Sequence, residues 1–128
     1  MPIIRVLKNC HYLCLRGCFE ITNISTLSNV YNLDVSLCPK INSVNSLTNV
    51  KILNISGCKN ISDISGLKCV ESLNISRCPR IQDISSLMIY SNNLKLLNIK
   101  RCNNIKNLNL LNSNCELVVI GKKILSKK

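Results

Sequence analysis

The side chains best suited to chemistry cluster near the start of the chain, in CHYLCLRGC at positions 10–18. Cys10, His11, Cys14 and Cys18 are zinc-type donors at short separations, and zinc needs four of them converging on one tetrahedral centre. Their register works against that. In the repeat aligned below, Cys10 and Cys18 take inward positions while His11 and Cys14 point outward from a strand, and donors on opposite sides of a strand cannot close a tetrahedron. No metal is expected. The rest of the inventory is sparse: one His, no paired carboxylates at a useful spacing, no Gly-rich phosphate loop and no Ser-His-Asp set, with four scattered glycines that read as turn residues. No catalytic residue and no cofactor are expected, and the chain is read as non-enzymatic.

Nine cysteines could form a disulfide framework, but the count is odd and the spacing follows a repeat. The opening MPIIRVLKNCHYLC lacks the charged start, apolar stretch and small-residue cleavage site of a signal peptide. No apolar run approaches the roughly eighteen residues of a membrane span. The expectation is a soluble, intracellular protein without membrane insertion, cytoplasmic in location, with its thiols free in a reducing compartment. Cysteines on neighbouring rungs of a repeat would lie about 5 Å apart, within reach of a disulfide. Oxidation would require their sulfurs to turn toward each other inside a packed core.

Those residues must be positioned by something, and the composition narrows what. In 128 residues, 46% are hydrophobic, yet there is one Phe, three Tyr and no Trp. The core of this single domain must therefore be built from Leu, Ile, Val and Cys, which suits many equivalent slots better than an irregular interior around a few aromatics. The formal net charge of +11 is lopsided, with six basic and three acidic residues in 1–64 and eleven and three in 65–128. From Lys95 to Lys128 only Glu116 opposes eight basic residues. Such a field attracts polyanions in general.

Placing leucines in register gives Leu13, Leu33, Leu53, Leu73, Leu97 and Leu117, at spacings of 20, 20, 20, 24 and 20 residues. Each unit reads L-x-(L/V/I)-x-x-C-x-x-I-x-x-(I/V/L), as in LNISGCKNISDI and LNISRCPRIQDI. Within L-x-I, two apolar residues flank a polar one, the period-two pattern of a strand with one buried face. One short strand cannot bury that face alone, so the copies must stack as a parallel sheet in a solenoid.

With Cys10, Val30, Val50, Val70 and Leu94 three residues upstream of the leading leucines, the units complete L-x-x-L-x-L-x-x-C-x-I, and the chain resembles the leucine-rich repeat family over residues 10–125. The resemblance implies an α/β-like repeat solenoid dominated by β, with a short parallel sheet on the concave face. About nine residues remain for the return limb, too few for a full helix, so extended or 3₁₀ turns are expected on the convex face. I-S-D-I-S-G-L at 61–67 and I-Q-D-I-S-S-L at 81–87 resemble the short-repeat branch that includes internalins and phosphatase regulatory subunits. That branch carries Asn where this chain has Cys. Short repeats in an Asn- and Lys-rich chain also resemble those of large DNA viruses such as insect poxviruses, which implies a viral protein acting in the host cytoplasm. The domain then divides into a cap at 1–12, repeats starting near 13, 33, 53, 73 and 97, and a C-terminal cap with a basic tail at 117–128. MIYSNN at 88–93 is an insertion expected to bulge on the convex side or at its edge.

In this family the concave sheet usually meets partners, and strand alternation assigns its columns. Residues between the core positions are Cys14, Asp34, Asn54, Asn74, Asn98 and Val118; the next column holds Arg16, Ser36, Ser56, Ser76, Lys100 and Ile120; the other flank holds Tyr12, Asn32, Ile52, Ser72, Leu96 and Glu116. The middle is small and polar, with Asn54 and Asn74 placed for an amide ladder and Ser56 and Ser76 beside them. It is either a solvated sheet or a binding surface. Leu96, Val118 and Ile120 form an apolar end rimmed by Lys95, Lys100 and Arg101, which either a cap or another subunit covers or a partner meets.

Two readings follow. In the first, the chain binds another protein through Asn54, Asn74, Asn98, Ser56, Ser76, Leu96, Val118 and Ile120. In the second, it binds nucleic acid or another acidic surface through Lys95, Lys100, Arg101, Lys122 and Lys123, with Lys106, Lys127 and Lys128 adding to the field. The sequence carries no aromatic stacking platform and no nucleic-acid motif for the second. Neither reading fixes the partner or the oligomeric state.

Overall fold

The computed structural model describes residues 7–90, 93–109 and 117–121, with Tyr90 defined by its backbone. Six three-residue strands, β1 (Tyr12–Cys14), β2 (Asn32–Asp34), β3 (Ile52–Asn54), β4 (Ser72–Asn74), β5 (Leu96–Asn98) and β6 (Val118–Ile120), pair in parallel in strict chain order. The chain is thus a β-solenoid of about five turns, each coil laying one strand beside the last.

The repeat explains the coil residue by residue. Leu53 and Ile55 point inward from β3 and its end, and from there every third residue is buried: Cys58, Ile61, Ile64, Leu67 and Val70. Tight turns set that interval. The Cys58 N–H donates to the Ile55 carbonyl (3.1 Å), Ile61 to Cys58 (3.4 Å) and Leu67 to Ile64 (3.2 Å), so each turn delivers one side chain to the interior. The preceding coil repeats the set as Leu33, Val35, Cys38, Ile41, Val44, Leu47 and Val50, all at most 1% exposed. Burying one such Leu, Ile or Val is worth about 1.5–3 kcal/mol. A lone coil has two open sides and keeps little of that, which is why stacking makes the fold.

The turn leaving each strand joins two devices. Asp34, Asn54, Asn74 and Asn98 each turn Oδ1 to accept the backbone N–H two residues on, at 2.9, 2.9, 2.9 and 3.1 Å. This Asx turn takes over an N–H that the strand would otherwise present. Three residues further the chain must pass through a left-handed residue. Gly17 and Gly57 stand there with φ of 74° and 73°, but Leu37, Arg77 and Arg101 hold the same conformation at 58°, 59° and 61°.

The repeat cysteines follow at once, and their thiols stitch coil to coil. Cys38 Sγ donates to the Leu15 carbonyl, Cys58 to Val35 and Cys78 to Ile55, each at 3.1 Å, and Cys102 to Ile75 at 2.8 Å. Each sulfur therefore faces the main chain of the preceding coil.

Two expectations need correction. The return limb of the fourth coil is not only extended or 3₁₀: its four extra residues give room for α1 (Ser85–Tyr90), whose first N–H is capped by Asp83 Oδ1 at 2.8 Å. Part of the MIYSNN insertion thus lies in this helix, Ser91 and Asn92 lie outside the described residues, and strand pairing continues with Ser72 opposite Leu96. A 3₁₀ turn does occur in the first coil, at Ser25–Leu27.

The last strand is also in a different register. Val119, not Leu117, pairs with Leu97, so that Val118 lies beside Leu96 and Ile120 beside Asn98. A shift of two residues preserves which side chains face inward, and Leu117 and Val119 both pack against the core. It changes the columns, and Glu116, expected beside Leu96, lies outside the described residues. No helix among the described residues is long and apolar enough to cross a membrane.

Candidate functional site

The outward face of the sheet carries a shallow groove of about 280 Å³ that runs across all the strands from Tyr12 to Ile120. Its floor is set by alternation: in β2, β3 and β4 the central Leu is buried and its neighbours are half exposed. Two columns line it. One runs Asn32, Ile52, Ser72 and Leu96, and the register continues it to Val118 just outside the lining; the other runs Asp34, Asn54, Asn74, Asn98 and Ile120.

The expected amide column is therefore in place, but its carbonyl oxygens are already used. Asn54, Asn74 and Asn98 spend Oδ1 on their own Asx turns, accepting from the backbone N–H of Ser56, Ser76 and Lys100. These residues first hold the turn, and the surface they offer is what remains beyond that bond.

At the N-terminal end the groove is closed on itself. Asp34 Oδ1 accepts from both the Ser36 N–H (2.9 Å) and its hydroxyl (2.6 Å), and Arg16 Nη1 donates to that hydroxyl at 3.1 Å. Ser36 is fully buried. The positive and negative charges of this corner are thus linked through one hydroxyl. Where the same two strands begin, the His11 ring stacks on Tyr31, with centroids 4.7 Å apart and planes within 10°.

The C-terminal end is open. Leu96, Val118 and Ile120 are 36%, 59% and 38% exposed, and β5–β6 pairing brings Leu96 directly beside Val118. Three of the five predicted cations, Lys95, Lys100 and Arg101, are exposed around them. Lys122 and Lys123 lie outside the described residues, as do Lys127 and Lys128. Among the described residues no carboxylate pairs with Lys95, Lys100 or Arg101.

Sequence reasoning passed over Arg77. Its signal was the slot before the repeat Cys, where Gly17 and Gly57 stand in other coils and where Arg77 and Arg101 recur on neighbouring rungs.

The possible metal ligands do not converge: Cys10 and Cys18 are half-buried, His11 and Cys14 are exposed, and no group of three or more His, Cys, Asp or Glu among the described residues could hold an ion. The buried thiols are poor nucleophiles as well. Burial pushes Cys58 up to about 11 and Cys78 up to about 12, and it raises Cys38 and Cys102 in the same direction. Compared with known proteins, the chain matches no family model and no curated sequence.

Proposed function

We propose that the chain is a non-enzymatic protein-interaction module of leucine-rich-repeat type, using the sheet as a concave surface and chiefly its C-terminal half. One observation carries the reading: Leu96, Val118 and Ile120 are exposed side by side at the C-terminal end of the sheet, with Lys95, Lys100 and Arg101 around them. An apolar centre inside a charged rim is the anatomy of a protein interface. Asn54, Asn74, Asn98, Ser56 and Ser76 extend that surface toward the middle of the groove. Free buried thiols suit a reducing compartment, in keeping with a cytoplasmic protein, in the host cytoplasm if its origin is viral.

The test is retention of a discrete protein from cell lysate by the parent and by L96S/V118S/I120S. These side chains lie on the surface, so the triple variant should fold and lose the partner. Unchanged retention would sink the reading.

The second reading, a polyanion binder through Lys95, Lys100, Arg101, Lys122 and Lys123, draws on the cations that lack carboxylate partners among the described residues. It predicts retention that disappears with nuclease or at moderate salt, because each neutralised phosphate releases a counterion. A partner that survives both treatments excludes it.

A further inference from the structure

Arg77 and Arg101 occupy neighbouring rungs at the edge of the groove. The Arg77 N–H donates to the Lys100 carbonyl at 2.8 Å, and the β4–β5 register continues to set Arg77 opposite Arg101. Their backbones are therefore about 4.8 Å apart, the spacing of paired strands. Both side chains are exposed, and both residues are left-handed, where a Cβ is unfavourable and Gly stands in two other coils.

Leu37 shares that conformation, but its side chain lies against the space where a Cβ on Gly57 would sit, so packing accounts for it. The two arginines have no such account: no hydrogen bond or ion pair engages either guanidinium among the described residues. Strained backbone that packing does not explain is a mark of a functional position. Lys100 lies between them in the chain and is exposed on the same edge. The corresponding edge at the other end of the sheet is neutralised by the Arg16–Ser36–Asp34 relay.

We propose that Arg77, Lys100 and Arg101 form a carboxylate clamp, and that the groove takes an acidic protein segment: one apolar side chain seats on Leu96, Val118 and Ile120 while flanking Asp or Glu carboxylates reach the clamp. The inference rests on the protein-binding reading and names its partner class. Paired guanidiniums fork onto carboxylates with two parallel bonds each, so they discriminate acidic from merely polar segments. A protein segment fits better than nucleic acid because the same face of the sheet also exposes the aliphatic Leu96, Val118 and Ile120. Among the described residues the exposed aromatics Tyr12, Phe19 and Tyr31 belong to the first two coils, away from the cations on which a stacked strand would depend.

The experiment selects a phage-displayed random 12-residue library on the full chain. Enriched peptides are resynthesised with fluorescein and titrated by anisotropy against the parent, R77G/R101G and L96S/V118S. Placing Gly in a left-handed turn relieves the backbone, so R77G/R101G should melt no lower than the parent, and lost binding cannot be ascribed to unfolding. The clamp predicts acidic peptides with an apolar residue, at least tenfold weaker binding when their Glu and Asp become Gln and Asn, and a similar loss with R77G/R101G.

Neutral peptides that still need Leu96 and Val118 would overturn the clamp and leave the protein-binding groove standing. Acidic peptides bound equally by R77G/R101G would do the same. If nothing is enriched, or L96S/V118S binds as the parent does, the groove reading fails together with the clamp. A fluorescein-labelled dT12 that binds as tightly as the best acidic peptide, and competes with it, would overturn the clamp in favour of a general polyanion surface.

Discussion

Asp34 at the end of β2 and Asn98 at the end of β5 stand in one column and do one job. Each turns Oδ1 to the backbone N–H two residues on, at 2.9 and 3.1 Å. Beyond that bond they part. Around Asp34 a buried Ser36 and Arg16 complete a neutral set, whereas beyond Asn98 the residues two and three on, Lys100 and Arg101 on the turn, are exposed cations. The backbone device is common to all the coils that carry it, and the charge is decoration that varies. Function in such a chain resides in what the scaffold does not require.

The comparison breaks most severely if the two coils are not equally packed. Leu33 and Leu97 are both fully buried, so Leu33→Ala and Leu97→Ala should each cost about 2–5 kcal/mol by urea denaturation. A Leu97→Ala cost well under half that of Leu33→Ala would mean the C-terminal coil is a looser structure and not the same scaffold with other decoration. Next in size are the Asx turns. Asn98→Ala should cost about 1 kcal/mol for its lost bond, and Asp34→Ala about 1–3 kcal/mol because the buried Ser36 hydroxyl also loses its acceptor. Equal losses would show that the relay adds nothing to the turn.

Smaller still, and opposite in sign, is Arg101→Gly. Releasing a side chain from a left-handed turn gains about 1 kcal/mol, and the freer unfolded chain returns part of it, so a net rise of about 0.5 kcal/mol is expected. A fall in melting temperature would mean that the Arg101 side chain holds the turn.

Smallest at neutral pH is the contribution of the thiols. Cys58 and Cys78 titrate higher in the folded chain than the ordinary thiol value of 9.0, because burial disfavours the thiolate. The folded state therefore holds its protons longer than the unfolded state. Stability from this source is fully present below about pH 9 and is lost as pH climbs toward 11 for Cys58 and 12 for Cys78. A denaturation midpoint that stays level across that alkaline window would contradict their burial.

The strands were legible because Leu13, Leu33, Leu53, Leu73 and Leu97 mark equivalent slots, and the pairing register follows them one for one. The final rung was misplaced for the complementary reason. No Cys marks its turn, and LVVI alternates identically at Leu117 and Val119, so the pattern fixes the face and leaves the pairing partner undetermined. The apolar cluster was legible as a set of residues, but its contacts became visible only with that register. Arg77 was hidden because a left-handed Arg carries no compositional mark, unlike the Gly that fills the slot in two other coils. The thiol-to-carbonyl stitches escaped notice because Cys reads as a small apolar residue until its neighbour's carbonyl is placed.

The strict order of the strands has a kinetic corollary. Partners in the sheet are 20 residues apart along the first four strands, then 24 and 22, and among the described residues each strand pairs only with its neighbours in sequence. Each new coil closes a loop of the same modest length onto one already formed, so the entropy of closure does not grow with the number of coils. Relative contact order falls as the solenoid lengthens. A tandem duplication of one unit, cut and rejoined between equivalent positions such as Asn54 and Asn74, would therefore leave the folding search no harder while adding one more row to the groove.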